Sequence, residues 1–295
     1  MSTLICFGLG YCAQHYVAEF GGRFDRIIGT SRTPERAAAL AARDLGGRGV
    51  EMLTFDGVTA SPAVAAAVAQ ADALLISAAP DERGDPVLAR LGDAIAAAPR
   101  LSSIVLLSTV GVYGDHAGGW VDESMTPDPA RARAHERIAA EHAWQALGQR
   151  RGVPVAVLRL SGIYGPGRNP LVNLMRGQAR NIVKPGQVFN RIHVEDIAQA
   201  IAAAFTQRAD GVFNVTDDEP TPPGEPIVFA AGLLGMAPPP AVPFGQAVAA
   251  MSPTAASFYA ESRRVRNARM KGVLGVRLRY PSYREGLRAL HADGG

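Results

Sequence analysis

Two arginines lie four residues apart in the alanine-rich stretch "PDPARARAHERIAAEHA" (127–143), namely Arg133 and Arg137. Residues four apart on a helix share one face, so a helix here would point two permanent cations in the same direction. Guanidinium groups bind carboxylates and phosphates through paired hydrogen bonds. The pair therefore indicates either recognition of an anion or a solvated helix face in an arginine-rich chain.

A glycine-rich turn near the N-terminus is a second candidate site. The segment "ICFGLGYCAQ" places Gly8, Gly10 and Ala13 between an apolar run and a helical stretch, with the spacing GxGxxA. Glycines let the backbone approach a pyrophosphate, and the small third residue lets helix and strand pack closely. The helix N-terminus also offers free N–H groups to phosphates. We therefore predict dinucleotide binding here, with contacts from Gly8, Gly10, Tyr11 and Cys12.

The end of the second apolar run, "IIGTSRTPER", indicates which dinucleotide binds. NAD sites normally carry a carboxylate at this point, which bonds the ribose 2′-hydroxyl. This chain has Thr30, Ser31 and Arg32 instead, and two hydroxyls with a cation suit a 2′-phosphate. We predict NADP(H), with contacts from Ser31 and Arg32; the alternative is that Arg32 is an ordinary surface arginine. Contacts to the adenine edge and the pyrophosphate are expected from Asp56, Ser77, Ala78 and Ala79.

Several elements must position these groups. Short apolar runs predict strands at 3–8, 26–30, 50–55, 72–77, 103–108, 153–160 and 211–216. Alanine-rich stretches between them predict helices at 11–20, 34–44, 61–70, 86–98, 131–149 and 195–207. Strands that are apolar on both faces and separated by helices are typical of a parallel sheet covered on both sides. The sequence therefore predicts an α/β fold with a doubly wound parallel (Rossmann) sheet.

The pattern changes after the sixth predicted strand, where glycine, proline and asparagine become frequent. We predict a dinucleotide-binding Rossmann domain formed by 1–160 and joined by 194–216. Residues 161–193 and 217–295 are expected to form a small C-terminal substrate lobe. The basic tail of that lobe indicates either a solvated surface or a wall of positive potential beside a ligand cleft.

Four linked segments resemble the extended short-chain dehydrogenase/reductase family of nucleotide-sugar epimerases and dehydratases. They are "LLSTVGVYGD" (106–115), "VDESMTPDP" (121–129), "LRLSGIYGPGR" (158–168) and "RIHVEDIAQAI" (191–201). The resemblance covers nearly the whole chain. Because GxGxxA replaces the usual TGxxGxxG, the chain is most similar to the atypical members. The resemblance implies a reductase or epimerase-like activity on a small anionic or nucleotide-linked substrate.

The family's catalytic machinery is a Ser or Thr after the fifth strand and a Tyr and Lys in a YxxxK helix. The resemblance places Thr109 at the hydroxyl position and puts Arg133 and Arg137 where the Tyr and Lys stand. Arginine stays protonated, so Arg133 cannot exchange a proton as tyrosine does, whereas Arg137 could still hold a ribose hydroxyl. The resemblance also implies cofactor contacts from Ser108 and Ser161.

Three outcomes follow from this replacement. Another side chain could carry the proton, with Tyr113, His116, Tyr164 and His193 as candidates and Tyr113 as the predicted catalytic residue. Alternatively, Arg133 could act as a fixed electrostatic clamp on a developing oxyanion, with water as the proton source. Finally, the protein could bind NADP(H) without turnover, as a sensor or partner-binding module. Substrate contacts are expected from His116, Tyr164, Lys184 and His193.

Composition narrows the class of protein and its partners. Hydrophobic residues make up 47% of the 295 and charged residues 19%, so a packed globular core is expected. The net charge of +3 favours anionic ligands weakly and does not suggest nucleic acid. No apolar run is long enough for a membrane span, and no metal site is predicted. Cys6 and Cys12 form no disulfide framework, which fits a reducing bacterial cytoplasm, and the family resemblance suggests a homodimer.

Overall fold

The computed structural model describes residues 1–129 and 131–294. Its strands are β1 (Thr3–Phe7), β2 (Arg26–Ser31), β3 (Glu51–Thr54), β4 (Ala73–Ile76), β5 (Ser103–Thr109), β6 (Trp120–Val121), β7 (Val155–Leu160), β8 (Gly162–Tyr164), β9 (Asn181–Val183), β10 (Arg191–His193), β11 (Gly211–Val215), β12 (Ala241–Pro243) and β13 (Arg264–Val265). Its helices are α1 (Tyr11–Phe20), α2 (Pro34–Ala41), α3 (Pro62–Ala69), α4 (Pro86–Ala97), α5 (Ala132–Arg151), α6 (Pro170–Met175), α7 (Val194–Gln207), α8 (Glu225–Leu233), α9 (Phe244–Ala247), α10 (Pro253–Phe258), α11 (Ala268–Gly272) and α12 (Tyr283–Ala292).

A seven-stranded parallel sheet forms the centre of the molecule, in the order β11-β7-β5-β4-β1-β2-β3. The predicted doubly wound fold is therefore confirmed, and the seven predicted strands are the seven strands of this sheet. The order reverses between β1 and β4, which leaves a crevice at the carboxyl ends of those two strands. Ligands of open α/β sheets bind at such a switch point.

Both faces of the sheet are covered by helices. Successive side chains of each strand point to opposite faces, so apolar side chains on both faces must be buried. Leu4 and Cys6 of β1 pack with α1 and α7 on one face, where Tyr16 is among the largest buried side chains. Ile5 and Phe7 pack with α3, α4 and α5 on the other face. These two cores explain why the central strands β1 and β4 carry apolar side chains on both faces.

Helices α2, α3 and α4 each begin at a Ser, Thr or Asp that is followed by proline. Thr33, Ser61 and Asp85 each accept a hydrogen bond from a backbone N–H in the first turn of α2, α3 and α4. This capping satisfies a donor that the helix leaves free, and proline suits the first helical position. Helix α2 ends at Ala41, earlier than predicted, because the side chain of Asp44 accepts from the N–H of Gly47 and closes a turn.

The chain beyond β7 builds short elements beside the sheet. Helices α6, α8 and α12 pack around a separate apolar cluster that includes Tyr164 and Tyr283. In the tail, Met270, Leu274 and Val276 are buried in the core of the large sheet. Part of the predicted lobe therefore lies against β11. Among the described residues, no helix combines the length and hydropathy needed to cross a bilayer.

Helix α5 lies very close to the sheet at Gly148. A Cβ at this position would come within 2.4 Å of the Val155 side chain and 2.7 Å of the Val153 carbonyl oxygen. We expect Gly148→Ala to lower the free energy of unfolding by about 1–3 kcal/mol, the usual cost of overpacking. The measurement is urea denaturation followed by circular dichroism.

Gly92 in α4 is the matched control, because a Cβ there meets nothing within 4 Å. Gly92→Ala should raise the free energy of unfolding by up to about 1 kcal/mol through helix propensity. Equal effects of the two substitutions would contradict the close approach of α5 to β7.

Candidate active site

The turn after β1 holds its shape through contacts that require glycine at position 8. Gly8 has φ of +85°, and a Cβ there would lie 3.2 Å from the backbone nitrogen of Ala78. The N–H of Gly8 donates to Oγ1 of Thr30 at 2.9 Å, and Thr30 is almost fully buried. Thr30 therefore supports the turn from within the protein, so only Ser31 and Arg32 of the expected trio remain accessible.

The space in front of Gly10 is open. A Cβ at Gly10 would come no closer than 4.0 Å to any neighbouring atom, the nearest being the Gly8 carbonyl and Oγ of Ser77. Gly10 is also the N-cap of α1 and has no side chain to occupy the first N–H groups of that helix. Uncapped N–H groups facing open space suit a phosphate, so these residues fit a dinucleotide.

Two further residues predicted at this turn behave differently. The hydroxyl of Tyr11 donates to the carbonyl of Pro166 at 3.0 Å and so links the turn to the loop after β8. Burial raises the pKa of Tyr11 to about 12. Cys12 is buried and burial raises the pKa of its thiol to about 11, so it stays protonated at neutral pH.

The residues after β4 form the opposite side of the crevice. The backbone N–H groups of Ser77 and Ala78 both donate to the carbonyl of Phe7 at 2.9 Å. These two amides are therefore occupied by β1, whereas Oγ of Ser77 lies 4.0 Å from a Cβ built on Gly10 and so borders the open space before that residue. Ala79 is exposed.

The predicted adenosine end lies after β2 and β3. Ser31 is half-buried and Arg32 is exposed. The Asp56 carboxylate accepts from the N–H groups of Val58 and Thr59 at 2.8 and 2.9 Å. These hydrogen bonds lower the pKa of Asp56 and orient its carboxylate toward its own loop. The exposed guanidinium of Arg32 and the half-buried hydroxyl of Ser31 therefore lie at the point where an NAD site has a carboxylate.

The carboxyl end of β5 brings the predicted catalytic residues to the same edge of the sheet. Oγ1 of Thr109 accepts from the N–H of Gly111 at 3.1 Å, which leaves its own hydrogen free to donate. Nη1 of Arg137 donates to the carbonyl of Leu107 at 3.1 Å, so α5 places this guanidinium beside β5. Arg133, one helical turn earlier, is exposed.

Arg137 lies in a partly desolvated and acidic environment. Burial lowers the pKa of its guanidinium, while the nearby charges of Asp85 and Glu141 act in the opposite direction. Arginine remains cationic under such conditions. Arg137 can therefore offer fixed donors at the position where the resemblance expects a lysine.

A buried ion pair lies directly beneath Thr109. The Glu141 carboxylate accepts from Nη2 of Arg159 at 2.7 Å and from Oγ of Ser108 at 2.5 Å. Both charged side chains are less than 6% exposed. The hydroxyl of Ser108, a predicted cofactor contact, donates to Glu141, and its contact with the cofactor stays a prediction. Ser161 is also buried, and its hydroxyl has no hydrogen-bond partner among the described residues.

Tyr113, the predicted catalytic tyrosine, is fully buried. Its hydroxyl donates to Oδ1 of Asn214 at 2.8 Å, and its ring lies 4.9 Å from the guanidinium carbon of Arg159. Burial raises its pKa. Tyr113 therefore packs against the ion pair inside the core, and its catalytic role stays a prediction.

Two predicted substrate contacts are also buried. The Tyr164 hydroxyl donates to the carbonyl of Ser282 at 3.3 Å, inside the cluster formed by α6, α8 and α12. His193 is 1% exposed, and its Nδ1 accepts from the N–H of Glu195 at the start of α7. Burial lowers the pKa of His193 to about 4, so it is neutral at physiological pH. Packing and helix capping account for both residues.

The remaining two predicted substrate contacts are half-buried and engaged with the protein. Nε2 of His116 lies 3.1 Å from the carbonyl of Tyr113. Nζ of Lys184 donates to Oε1 of Gln187 at 3.1 Å and to the carbonyl of Tyr259. Lys184 also lines a cavity between β9, α8 and α12. Neither residue is brought beside Thr109 by a contact in the structure.

The structure adds three residues that the sequence analysis did not single out. The carboxylate of Glu261 pairs with Nε of Arg131 at 3.0 Å and with Nη1 of Arg263 at 2.9 Å. Arg263 approaches Gly111 and hence Thr109. The only signal in the sequence was the basic character of the tail, which does not distinguish one arginine from another.

Comparison with known proteins identifies the class of this site. The sequence model of the NAD dependent epimerase/dehydratase family matches residues 8–216. This range contains the glycine turn, the end of β5 and helix α5.

Two curated relatives match parts of the chain. A 3-diazoavenalumate denitrifying reductase from Streptomyces sp. is 29% identical over 172 residues, which are 55% of this chain and 54% of the relative. Protein YeeZ from Escherichia coli (strain K12) is 31% identical over 183 residues, 59% of this chain and 63% of the relative. The chain thus spans little more than half the length of the curated relatives it matches.

Solved structures match over the full length. A functionally unknown conserved protein from Silicibacter pomeroyi DSS is 49% identical, with 99% of each chain covered and a TM-score of 0.88. Human epimerase family protein SDR39U1 with NADPH covers 99% of each chain at 18% identity and a TM-score of 0.73. MoeE5 in complex with UDP-glucuronic acid and NAD covers 98% of this chain and 97% of that chain at 21% identity and a TM-score of 0.77. The last two show a shared fold alone.

The buried pair beneath Thr109 leads to a test of stability. Glu141→Gln would leave Arg159 charged and buried without its carboxylate. We expect the free energy of unfolding to fall by about 3–5 kcal/mol, the usual cost of breaking a buried ion pair from one side. Urea denaturation of the purified variant measures this change.

Asp81→Asn is the matched control, since it removes one carboxylate from the exposed pair with Arg83. That substitution should lower the free energy of unfolding by less than about 1 kcal/mol. A loss at Glu141 no larger than the loss at Asp81 would refute a structural role for the pair.

Proposed function

The chain belongs to the NAD-dependent epimerase/dehydratase family, and on this premise we propose that it is an NADP(H)-dependent reductase of a small anionic substrate. The observation that carries the proposal is the placement of Thr109 and Arg137 at the same sheet edge as the open space before Gly10. A dinucleotide lying along that edge would have its phosphates at α1 and its nicotinamide end at β5.

Each residue in the proposed site has one task. Arg137, fixed by the carbonyl of Leu107, donates to a ribose hydroxyl of the cofactor. Thr109 donates its hydroxyl hydrogen to an oxygen of the substrate's anionic group. When bound, NADPH would supply a hydride to the substrate's carbonyl carbon. Neighbouring guanidinium groups stabilise the negative charge that develops on the carbonyl oxygen, and water supplies the proton because an arginine cannot.

A preference for NADP(H) follows from the charges at the adenosine end. Arg32 is exposed and Ser31 is half-buried at the end of β2, and the trio at this point contains no carboxylate that would repel a 2′-phosphate. The relative named as a denitrifying reductase supports reduction as the reaction type.

A second candidate function is a non-catalytic NADP(H) sensor. It is favoured by the engagement of Tyr113, Tyr164 and His193 in the core, which removes three side chains that could have carried a proton. A sensor would need the glycine turn and Arg137 but no proton donor.

A turnover experiment separates the two functions. We expect the protein to oxidise NADPH in the presence of a carboxylate-bearing carbonyl compound from a library, with deuterium from the labelled C4 position appearing in the product. Arg137→Ala should weaken NADPH binding while the fold is retained. Tight NADPH binding without any isotope transfer, together with a cofactor-dependent change of oligomeric state, would favour the sensor.

A second experiment tests the cofactor. Arg32→Asp should weaken NADPH binding about 10- to 100-fold, since a charge-assisted hydrogen bond contributes about 1.5–3 kcal/mol, and should change NADH binding little. Isothermal titration calorimetry with both cofactors measures the difference. Arg90→Asp, the same charge change on the exposed side of α4, serves as the control. Equal weakening of NADPH and NADH by Arg32→Asp would refute a 2′-phosphate contact.

A further inference from the structure

We propose that Arg263 and Thr109 together form a carboxylate-binding subsite for the substrate. This inference rests on the proposed function, because it names the substrate group that the site beside β5 receives. It assigns to Arg263 the anion-binding role that the sequence suggests for Arg133.

Arg263 is held in one orientation by the protein. Its side chain is 12% exposed, and Nη1 donates to Oε2 of Glu261 at 2.9 Å and to the carbonyl of Gly114. Its own carbonyl accepts from Nδ2 of Asn190 at 2.9 Å, which fixes the backbone of this segment. Because the guanidinium is already held along one edge, a ligand that binds its other edge costs little further side-chain entropy.

The other edge of Arg263 faces the end of β5. A Cβ built on Gly111 would lie 3.3 Å from Oγ1 of Thr109 and 4.0 Å from Nη2 of Arg263. Gly111 has no side chain, so this space between the hydroxyl and the guanidinium stays open. Two donors therefore converge on one small volume next to the residue that the proposed mechanism uses to hold substrate.

The local charge also favours an anion. Glu261 is almost fully buried and is shared by Arg131 and Arg263, so two guanidinium groups have one carboxylate between them. Asp115 is another carboxylate close to Arg263, but it is exposed and accepts from the N–H groups of Ser262 and Ala117. A partly desolvated surplus of positive charge attracts an anion more strongly than an exposed one does.

The geometry of the donors selects a carboxylate. One guanidinium edge and one hydroxyl match the two oxygens of a carboxylate, and a charge-assisted pair of this kind is directional. A phosphate has a third oxygen for which this subsite offers no named donor. An uncharged carbonyl would leave the surplus charge of the cluster unpaired.

The experiment uses benzoate as the probe and benzamide as its uncharged counterpart, with the full chain in the absence and presence of NADPH. We expect benzoate to bind at least about tenfold more tightly than benzamide, by ligand-observed NMR titration. Arg263→Gln should abolish this preference. Arg264→Gln is the matched control, because the neighbouring arginine donates to the carbonyl of Gly118 instead, and it should leave the preference intact.

Gly111→Ala provides an independent second variant. It leaves every charge in place but puts a methyl group 3.3 Å from the Thr109 hydroxyl, and it should weaken benzoate binding in the same way as Arg263→Gln. It also keeps the inference testable if Arg263→Gln fails to fold.

Three results would overturn the inference: benzoate binding no tighter than benzamide in the wild type, unchanged benzoate preference in Arg263→Gln or Gly111→Ala, or tighter binding of inorganic phosphate than of benzoate. Failure of the proposed function looks different. It would abolish NADPH binding or hydride transfer while benzoate still distinguished the wild type from Arg263→Gln.

Discussion

A buried carboxylate, Glu141, determines where the candidate site lies. It comes from α5, and it binds Ser108 at the end of β5 and Arg159 in β7. These bonds join the helix to the two neighbouring strands at one level, because an ionised carboxylate in the core must have its partners to offset its desolvation. Thr109 is the next residue after Ser108, and Arg137 lies one turn before Glu141. The ion pair of Glu141 with Arg159 therefore helps to position both residues.

A second buried carboxylate, Glu261, is paired with more guanidinium groups than Glu141 is. Glu141 faces one guanidinium, whereas Glu261 is shared between Arg131 and Arg263. The first arrangement is neutral and suits a structural role inside the core. The second retains positive charge at the cleft, and it ties the segment after α10 to the start of α5. The same chemical pair therefore serves stability in one place and, under our proposal, recognition in the other.

The sequence predicts the sheet and the glycine turn well, because both depend on local patterns: apolar runs of strand length and glycines at fixed spacing. It predicts side-chain environments less well. Tyr113 belongs to a motif, but its ring is buried against Arg159 and its hydroxyl binds Asn214, a residue about a hundred positions later. Arg263 lies near Gly111 in the folded protein although the two residues are far apart in the sequence. Long-range contacts of this kind leave no periodic signal, although a charged residue inside an apolar strand, such as Arg159, does suggest a buried partner.

The proposed replacement of the family's tyrosine and lysine by Arg133 and Arg137 would change how the site responds to pH. Burial moves the pKa of His193 down to about 4 and the pKa of Tyr11 up to about 12, so neither changes its charge near neutrality. Arg137 stays protonated throughout. A tyrosine and lysine pair is tuned by its own proton equilibrium, whereas these guanidinium groups keep a constant positive charge. Under the proposed function, such a site would hold an anionic substrate equally well across the physiological range, and it would leave the protonation of the product to water.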